Sequence, residues 1–396
     1  MKNVSSQKKL IRITTIPMAL HVLLTGQMKF MSENGFEVIM ISADGENLDK
    51  VMQNEKCRHI IVPMTRQITP LQDLKCLVKL IMIFRKEKPD IVHSHTPKAG
   101  LLAMIAAKLT GVKIRIHTVA GLPMVVEKGL KKLLLKNIEK MTFTFANHVW
   151  PNSNSLLQFI KENKLTSVNK LKVIAKGSSN GIDLNKFDVT TLNPTLLEEI
   201  KSSINYSVEN TYLLCMGRLV KDKGLDELVN VFISLQEQFP FLRLMLIGNF
   251  EESLDPLPKI ILEEINNNPS IIHVKWTDKV EYYLSLSNIF VFPSHREGFP
   301  NVLLQAGAMS LPIICSDIMG NIDIVSDNET GLIFECKNEI ELKSKIILAL
   351  SEPKHTEKMA NNLHQIITTS YIREMFWQTM LLEYLKLLKQ INQKQE

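Results

Sequence analysis

The sequence predicts an α/β protein made of two doubly wound domains in series, and three observations indicate this. The chain has 396 residues, which is enough for two hydrophobic cores. Its residues are 45% hydrophobic and 22% charged, as is typical of globular proteins. Short β-like runs alternate with helical segments, and this rhythm restarts after residue 185. Such alternation favours right-handed crossovers and parallel sheets.

The first half of the chain predicts one such sheet. We expect its strands at residues 10–15, 36–42, 90–93 and 113–118. We expect its helices at residues 20–34, 70–88 and 99–109. Gly35 and Gly111 follow two of these helices, in the position where glycine commonly ends a helix.

The second half predicts another sheet. We expect its strands at residues 212–216, 242–247, 271–274, 289–292 and 312–316, with a helix at 225–238. We predict that the domains comprise residues 1–185 and 186–370, and that residues 371–396 form a C-terminal helix that packs back toward the first domain. Ligands of such sheets bind beyond the carboxyl ends of the strands. The residues that follow each strand are therefore the candidates for function.

Composition excludes several classes of protein. No run approaches the roughly 18 apolar residues of a membrane span, and the N-terminus lacks the continuous apolar stretch of a signal peptide. A cytoplasmic protein is therefore expected. The five cysteines form no CxxC pair and are expected to be reduced thiols. No Asp-x-Asp and no metal-ligand spacing occurs, so we expect no metal and no cofactor, and we expect no nucleic acid partner.

A basic, glycine-flanked segment follows the predicted strand 212–216. Gly217 and Gly224 permit tight turns, and Arg218 and Lys223 place two cations beside the start of the next helix. A helix N-terminus already favours anions, so the two cations make a candidate diphosphate clamp. The alternative is a solvated basic loop.

A second polar segment follows the predicted strand that ends near residue 292. It carries Glu297, a turn at Gly298, and Pro300 in a position that suits the first residue of a helix. Asn301 and Gln305 are four residues apart and share one helix face. The Glu297 carboxylate could accept hydrogen bonds from sugar hydroxyls, or it could simply cap the helix.

Polar residues also follow two strands of the first half. His95 and Lys98 lie in the loop after strand 90–93 and could meet an acceptor or the donor phosphates. His117 lies at the end of the next strand.

Together these residues resemble the retaining glycosyltransferases of family four (glycosyltransferase group 1). That family has the GT-B fold, in which two Rossmann-like domains face across a cleft. Its signature is a Glu, seven residues and a second Glu, which here are Glu297 and Gln305; an amide keeps one acceptor for the ribose and adds a donor. Arg218 and Lys223 match the phosphate-binding residues of the family. The resemblance implies donor contacts for Gly217, Arg218, Lys223, Thr277, Gly298, Phe299, Pro300, Asn301 and Gln305.

The resemblance also implies catalytic residues and departures from the family pattern. Glu297, Arg218 and Lys223 would act on the donor. Family members often carry a histidine that touches the donor sugar at the position of Ala120; here either His117, three residues earlier, replaces it or the donor sugar is contacted differently. The glycine-rich loop usual after the first strand is replaced by Thr14, Thr15 and the two residues that follow.

The implied function is transfer of a hexosyl or N-acetylhexosaminyl group from a nucleotide-diphosphate sugar, with a UDP-sugar expected. The details are most similar to bacterial capsule and O-antigen enzymes, so the expected acceptor is a polyprenyl-diphosphate-linked glycan or an oligosaccharide. Transfer would retain the anomeric configuration and need no metal. Alternatives are a sugar-nucleotide epimerase of the same fold and a non-catalytic subunit, whereas a nicotinamide enzyme lacks its GxGxxG motif here.

Charge is unevenly distributed between the two halves. Residues 1–180 hold 28 Lys and Arg against 12 Asp and Glu, whereas residues 181–396 hold 19 against 29. Five of the lysines fall in residues 127–146, a predicted helix in which they alternate with leucines. A basic amphipathic helix can lie in the headgroup layer, so we expect peripheral association with the anionic inner face of the cytoplasmic membrane. The alternative is a core helix whose lysines face water.

Overall fold

A computed structural model describes residues 7–251 and 255–393 of the chain. Its contacts divide the chain into two compact units. The first unit runs up to Asn180 and includes the C-terminal segment from Glu374. The second unit is Gly181–Arg373. No helix of the described residues is long and apolar enough to cross a membrane.

The first unit is built on a six-stranded parallel sheet. Its strands are β1 (Lys8–Ile13), β2 (Phe36–Ser42), β3 (Arg58–Ile61), β4 (Ile91–Ser94), β5 (Ile114–Val119) and β6 (His148–Pro151). Their spatial order is β3-β2-β1-β4-β5-β6. From β1 the chain adds β2 and β3 on one side of that strand, and it then adds β4, β5 and β6 on the opposite side. The direction of building therefore reverses between β1 and β4.

Helices cover both faces of this sheet. In chain order they are α1 (Pro17–Leu23), α2 (Gln27–Glu33), α3 (Leu48–Glu55), α4 (Pro70–Glu87), α5 (Pro97–Leu109), α6 (Gly129–Phe145) and α7 (Asn154–Glu162). Side chains alternate along β1, so Ile11 and Ile13 belong to the core under α4 to α7, whereas Leu10 belongs to the core under α1 and α2. Both faces of the sheet are thereby buried, as parallel sheets require.

The second unit repeats this plan. Its strands are β7 (Thr211–Met216), β8 (Leu242–Ile247), β9 (Ile271–Val274), β10 (Ile289–Phe292), β11 (Ile313–Ser316) and β12 (Leu332–Phe334). Their order is β12-β11-β10-β7-β8-β9, and every pair is parallel. The helices are α8 (Pro194–Ser203), α9 (Leu225–Leu235), α10 (Lys259–Asn267), α11 (Val280–Ser285), α12 (Asn301–Ala308), α13 (Glu339–Ser351) and α14 (Pro353–Ser370). Here the order of building reverses between β7 and β10.

The last helix, α15 (Arg373–Gln393), belongs almost entirely to the first unit. Phe376, Met380 and Tyr384 enter the core formed by α1, α2 and the sheet. The stacked rings of Trp150 and Tyr384 lie 5.8 Å apart between their centroids. The C-terminal segment thus completes one of the two layers of the first unit.

The structure also corrects two expectations about the elements. The helix predicted over residues 20–34 is two helices, α1 and α2, separated by Gly26 at a φ of +85° with the Trp377 ring against its Cα. Three strands were not predicted: β3, β6 and β12. They have three or four residues each, and each is paired with a neighbouring strand of its sheet, which a single sequence does not display.

Candidate functional site

The predicted diphosphate segment and the Glu297 segment lie side by side in the second unit. They follow β7 and β10, which are adjacent strands at the point where the order of the sheet reverses. The loops on the two sides of such a point lead away in opposite directions and leave a crevice at the carboxyl edge. The sequence predicted the two segments separately, and the topology brings them together.

A charged pair crosses this crevice. The ammonium group of Lys223 donates to Oε1 of Glu297, and the hydroxyl of Ser294 donates to the same oxygen at 3.2 Å. The Lys223 ammonium also lies 5.9 Å from the centre of the Phe292 ring. Both partners of the pair are largely but not fully buried, so a ligand at the edge can reach them.

Arg218 lies in the same loop as Lys223. One terminal nitrogen of its guanidinium is 2.6 Å from a carboxylate oxygen of Glu251, which follows β8. Three adjacent strands, β8, β7 and β10, therefore supply Glu251, the two cations and Glu297 in turn. Each cation of the candidate clamp holds a carboxylate, and an incoming diphosphate offers the same kind of oxygen acceptor.

A second charged pair braces the same two loops, and sequence reasoning missed it. Arg296 donates to Oδ2 of Asp222 at 2.7 Å, and the backbone N–H of His295 donates to the carbonyl of Asp222 at 2.9 Å. Burial alone would raise the pKa of Asp222, but the charges of Lys223 and Arg296 outweigh it and lower the pKa. The sequence carried a signal for this pair. Asp222 directly precedes Lys223 in one loop, and Arg296 directly precedes Glu297 in the other, so each loop offers one acid and one base.

Close backbone approaches fix the spacing of the loops. Gly224 has a φ of +69°, and a Cβ there would lie 2.1 Å from the carbonyl oxygen of Pro293. Gly320 has a φ of +87°, and a Cβ there would lie 2.7 Å from the carbonyl oxygen of Gly298. Only glycine fits such a contact without moving one of the loops.

The start of α12 settles one alternative for Glu297. The N-cap of this helix is Pro300, without a side-chain hydrogen bond to the helix, so Glu297 is not its cap. Pro300, predicted as the first helical residue, is the N-cap, so the helix begins one residue later, at Asn301. Phe299 is buried with its ring centre 5.7 Å from that of Tyr371.

The remaining predicted donor contacts are dispersed. Asn301 and Gln305 are both partly exposed on α12, one turn apart. Gly217 directly follows β7, with its carbonyl oxygen against Gly248. Thr277 follows β9, two strands away from β7, and its hydroxyl accepts from the N–H of Lys279 at 3.1 Å. Thr277 therefore follows a strand that does not border the reversal point.

The first unit has its own reversal point, and polar residues close it. The hydroxyls of Thr15 and Thr96 lie 2.7 Å apart, after β1 and β4 respectively. His95 accepts from Nε of Arg12 at 3.0 Å and borders a small cleft of about 10 Å³. The cleft is also lined by Thr118, Asn152, Ser178 and Ser179, with Met380 from α15.

A buried cation supports His95 from behind. Arg12 is fully buried, and its guanidinium donates to Tyr384 at 3.1 Å and to Gln27 at 2.7 Å. His93 bonds the same tyrosine hydroxyl at 2.5 Å. Burial, the charge of Arg12 and the charge of His117 lower the pKa of His95 well below its usual value. The ring is therefore neutral and can accept the hydrogen bond of Arg12.

Two predicted residues of the first half lie elsewhere. His117 is buried under α5, with Nδ1 at 2.8 Å from the hydroxyl of Ser94 and its ring against Gly100. Burial lowers the pKa of His117 to about 4. The expected contact of His117 with a donor sugar is not supported by this position in the core. Lys98 is held by Asp73 at 2.7 Å and by Thr65 at 3.1 Å, so it fastens the segment before α4.

Models of two protein families match the chain. Residues 198–365 match "Glycosyl transferases group 1", and residues 13–153 match "Glycosyl transferase 4-like". The first match includes the crevice between β7 and β10. The second covers β2 to β6 of the first unit and begins at the last residue of β1.

Characterised proteins resemble the chain over nearly its whole length. The capsular polysaccharide biosynthesis glycosyltransferase CapM of Staphylococcus aureus is 34% identical, over 97% of this chain and 98% of its own. The UDP-Gal:alpha-D-GlcNAc-diphosphoundecaprenol alpha-1,3-galactosyltransferase of Escherichia coli is 26% identical, over 94% and 95%.

A solved structure shares the fold. Anabaena Alr3699/HepE in complex with UDP and glucose superposes with a TM-score of 0.78, covering 96% of this chain and 99% of its own, at 15% identity. Together with the two parallel sheets, this likeness confirms the predicted GT-B fold.

Proposed function

We propose, since the chain belongs to the family of group 1 glycosyl transferases, that it moves a sugar from a UDP-sugar onto a polyprenyl-diphosphate-linked or oligosaccharide acceptor. The relatives from Staphylococcus aureus and Escherichia coli support this choice, because their names refer to capsule synthesis and to a diphosphoundecaprenol acceptor. The product would be a bacterial surface polysaccharide. The epimerase alternative is not favoured by these relatives.

The observation that carries the proposal is the crevice of the second unit. It collects Arg218 and Lys223 on one side of the reversal point and Glu297 on the other. A donor diphosphate would bind the two cations in place of their present carboxylate partners. Glu297, released from Lys223, would then accept hydrogen bonds from hydroxyls of the sugar or ribose. The rearrangement would couple donor binding to the position of the carboxylate.

The chemistry would follow from this charge arrangement. The acceptor oxygen forms its bond to the anomeric carbon on the side from which the diphosphate departs, and the bond from that carbon to the phosphate oxygen breaks. The proton of the acceptor hydroxyl passes to the departing phosphate, so no side-chain base is needed and configuration is retained. Arg218 and Lys223 stabilise the negative charge that grows on the leaving group.

The acceptor would bring the first unit to a membrane surface. On α6 the structure leaves Leu130, Leu133 and Leu134 exposed, with Lys131 and Lys132 beside them. Leu130 has 85% of its surface exposed. A core helix with lysines toward water would have buried these leucines, so their exposure favours the membrane alternative. Charge supports it, since residues 1–180 carry the excess of cations.

The test is transfer by the purified full chain. UDP-hexoses and UDP-N-acetylhexosamines would each be supplied with a short-chain polyprenyl diphosphate that carries one sugar. We expect UDP release that depends on the acceptor, and a product one sugar heavier with retained configuration by NMR. Interconversion of UDP-sugars without any acceptor would identify an epimerase instead. No turnover with any donor and acceptor would contradict the proposal.

A further inference from the structure

The outward face of α4 carries an exposed apolar stripe that the sequence did not single out. Leu71, Leu74, Val78 and Met82 are all exposed, and Leu71 has 80% of its surface exposed. Their spacing of three and four residues places them in one line along the helix. Ile68, just before the helix, extends this line. The opposite face of α4 is buried in the core, so the stripe has no role in the packing of the unit.

The charged residues of α4 on the side of the stripe are cations. Lys75, Arg85 and Lys86 are exposed on this side of the helix, and Lys79 is half-exposed. The two carboxylates of α4 are engaged on its inner side. Asp73 holds Lys98 at 2.7 Å, and Glu87 holds Lys9 at 3.0 Å and Arg58 at 2.5 Å. The outward face is therefore apolar and positively charged, without a carboxylate of the helix to offset it.

The α4 stripe and the exposed leucines of α6 belong to one layer of the first unit. Helix α5 packs against both α4 and α6 and so lies between them. It is rich in small buried residues, such as Ala99, Ala103 and Ala106, and can lie close to the sheet. The two flanking helices, α4 and α6, then stand farther out from the sheet than α5 and form two ridges on the surface of the layer.

The two ridges reach the same edge of the sheet. A helix that follows a parallel strand begins at the carboxyl edge of the sheet, and α4 and α6 follow β3 and β5. The three exposed leucines of α6 all fall within its first six residues. On α4, Ile68, Leu71 and Leu74 mark the same end. Apolar exposure is therefore richest at the carboxyl edge, where His95 and its cleft also lie.

We propose that the outward faces of α4 and α6 form one two-ridge docking surface for an anionic lipid leaflet, with the carboxyl edge of the first sheet turned toward the headgroups. This inference rests on the membrane part of the proposed function. Charge complementarity identifies the occupant: a second copy of α4 would bring Lys75, Lys79 and Lys86 against the same cations, whereas an anionic leaflet matches them. Apolar side chains flanked by cations are what the interfacial layer accommodates.

The direct test is binding of the full chain to vesicles of phosphatidylglycerol mixed with phosphatidylcholine, compared with phosphatidylcholine alone. Changing Leu71, Leu74, Lys75 and Lys79 together to Gln should lower the partition coefficient on anionic vesicles at least about ten-fold. The same loss is expected for Leu130→Gln, Leu133→Gln and Leu134→Gln on α6. The matched control is Val208→Gln with Ile340→Gln, which replaces residues 87% and 84% exposed in the second unit. It should bind as the unchanged protein does.

Each other result has a definite meaning. Unchanged binding of the α4 variant, with loss only in the α6 variant, would overturn the two-ridge surface but leave the membrane part of the proposed function. A dimer in light scattering that the α4 variant dissociates, with vesicle binding intact, would identify a second copy as the occupant. Absence of binding to anionic vesicles at low salt would overturn both membrane statements. Sugar transfer to a short soluble acceptor would still test the glycosyltransferase function separately.

Orientation can be tested by depth. A tryptophan at Leu71 (L71W) lies near the carboxyl edge, and one at Met82 (M82W) lies near the other end of α4. With lipids brominated in the acyl chain, L71W should be quenched more than M82W, after subtraction of the native tryptophan signal. Val208→Trp should not be quenched. Equal quenching of L71W and M82W would show that α4 lies flat on the leaflet. It would contradict an orientation with the carboxyl edge of the sheet toward the headgroups.

Discussion

The ammonium group of Lys223 binds the carboxylate of Glu297 across the point where the second sheet reverses its order. These residues are 74 positions apart in the chain. We expect donor binding to be an exchange of partners, in which phosphate replaces carboxylate at the lysine. Lys223 and Glu297 are therefore expected to act as a unit, and their substitutions should not be additive.

Substitution of the two cations of the candidate diphosphate clamp, Arg218 and Lys223, should lower the turnover number. We expect Arg218→Ala and Lys223→Ala each to lower kcat by about 100- to 1,000-fold, because each would remove a positive charge that we propose stabilises the leaving diphosphate. The measurement is UDP release at saturating acceptor. Lys221→Ala, an exposed lysine of the same loop, is the control and should retain nearly full activity. Near-normal turnover in the double variant Arg218→Ala, Lys223→Ala would remove both residues from the site.

Glu297→Gln should separate catalysis from stability. The amide keeps the shape of the side chain but loses its charge, and Glu297 does not cap α12. We expect a large fall in kcat with a melting temperature close to that of the unchanged protein, since the amide oxygen can still accept from Lys223 and Ser294 and leaves neither donor unpaired. The control is Glu329→Gln, an exposed carboxylate. A clear loss of stability with full specific activity would instead assign Glu297 a structural role.

Gly224→Ala should be more damaging than its backbone conformation alone explains. Gly224 and Gly35 both have positive φ values, +69° and +94°, but only at Gly224 would a Cβ meet another atom, 2.1 Å from the Pro293 carbonyl. Denaturant titration should show Gly35→Ala destabilised by about 1 kcal/mol. Gly224→Ala should lose at least about 1 kcal/mol more, because the loops must move apart. Equal losses would show that the loops yield without cost.

His95 should make stability depend on pH. Its pKa in the folded protein is well below the unfolded value of about 6.5, so the unfolded chain takes up a proton first. The stabilisation is therefore present above pH 6.5 and is lost as the pH falls, by up to about 1.4 kcal/mol per pH unit. His95→Gln keeps an acceptor for Arg12 but cannot titrate. The difference in unfolding free energy between the two proteins should shrink between about pH 6.5 and pH 5; a constant difference would contradict the assignment.

Sugar transfer should not need a divalent metal. The sequence contains no Asp-x-Asp, and in the proposed site Arg218 and Lys223 would compensate the charge of the diphosphate. We expect excess chelator to leave the rate of transfer nearly unchanged, measured with a nucleotide-sugar donor and the lipid-linked acceptor. Recovery of a lost rate on adding magnesium or manganese would disprove this expectation.

Most of the fold could be predicted from the sequence, because long periodic segments report their own structure. Strands such as β2, β8 and β10 have the predicted bounds. The break between α1 and α2 could not be predicted, because it depends on Trp377, which is distant in the chain. The same applies to β3, β6 and β12, whose strand conformation is set by their neighbours in the sheets.

By itself, the sequence determined the alternation of strands and helices, the residues that follow each strand, and the excess of cations in the first half. These are local or summed properties, so a single chain displays them. Only the tertiary structure decided which of the candidate residues meet. It paired Lys223 with Glu297 and Asp222 with Arg296, buried His117, and turned Lys98 toward Asp73. It also left one face of α4 exposed. The physical reason is that periodicity marks which faces of a helix are apolar, whereas the order of strands in the sheet decides which face is covered.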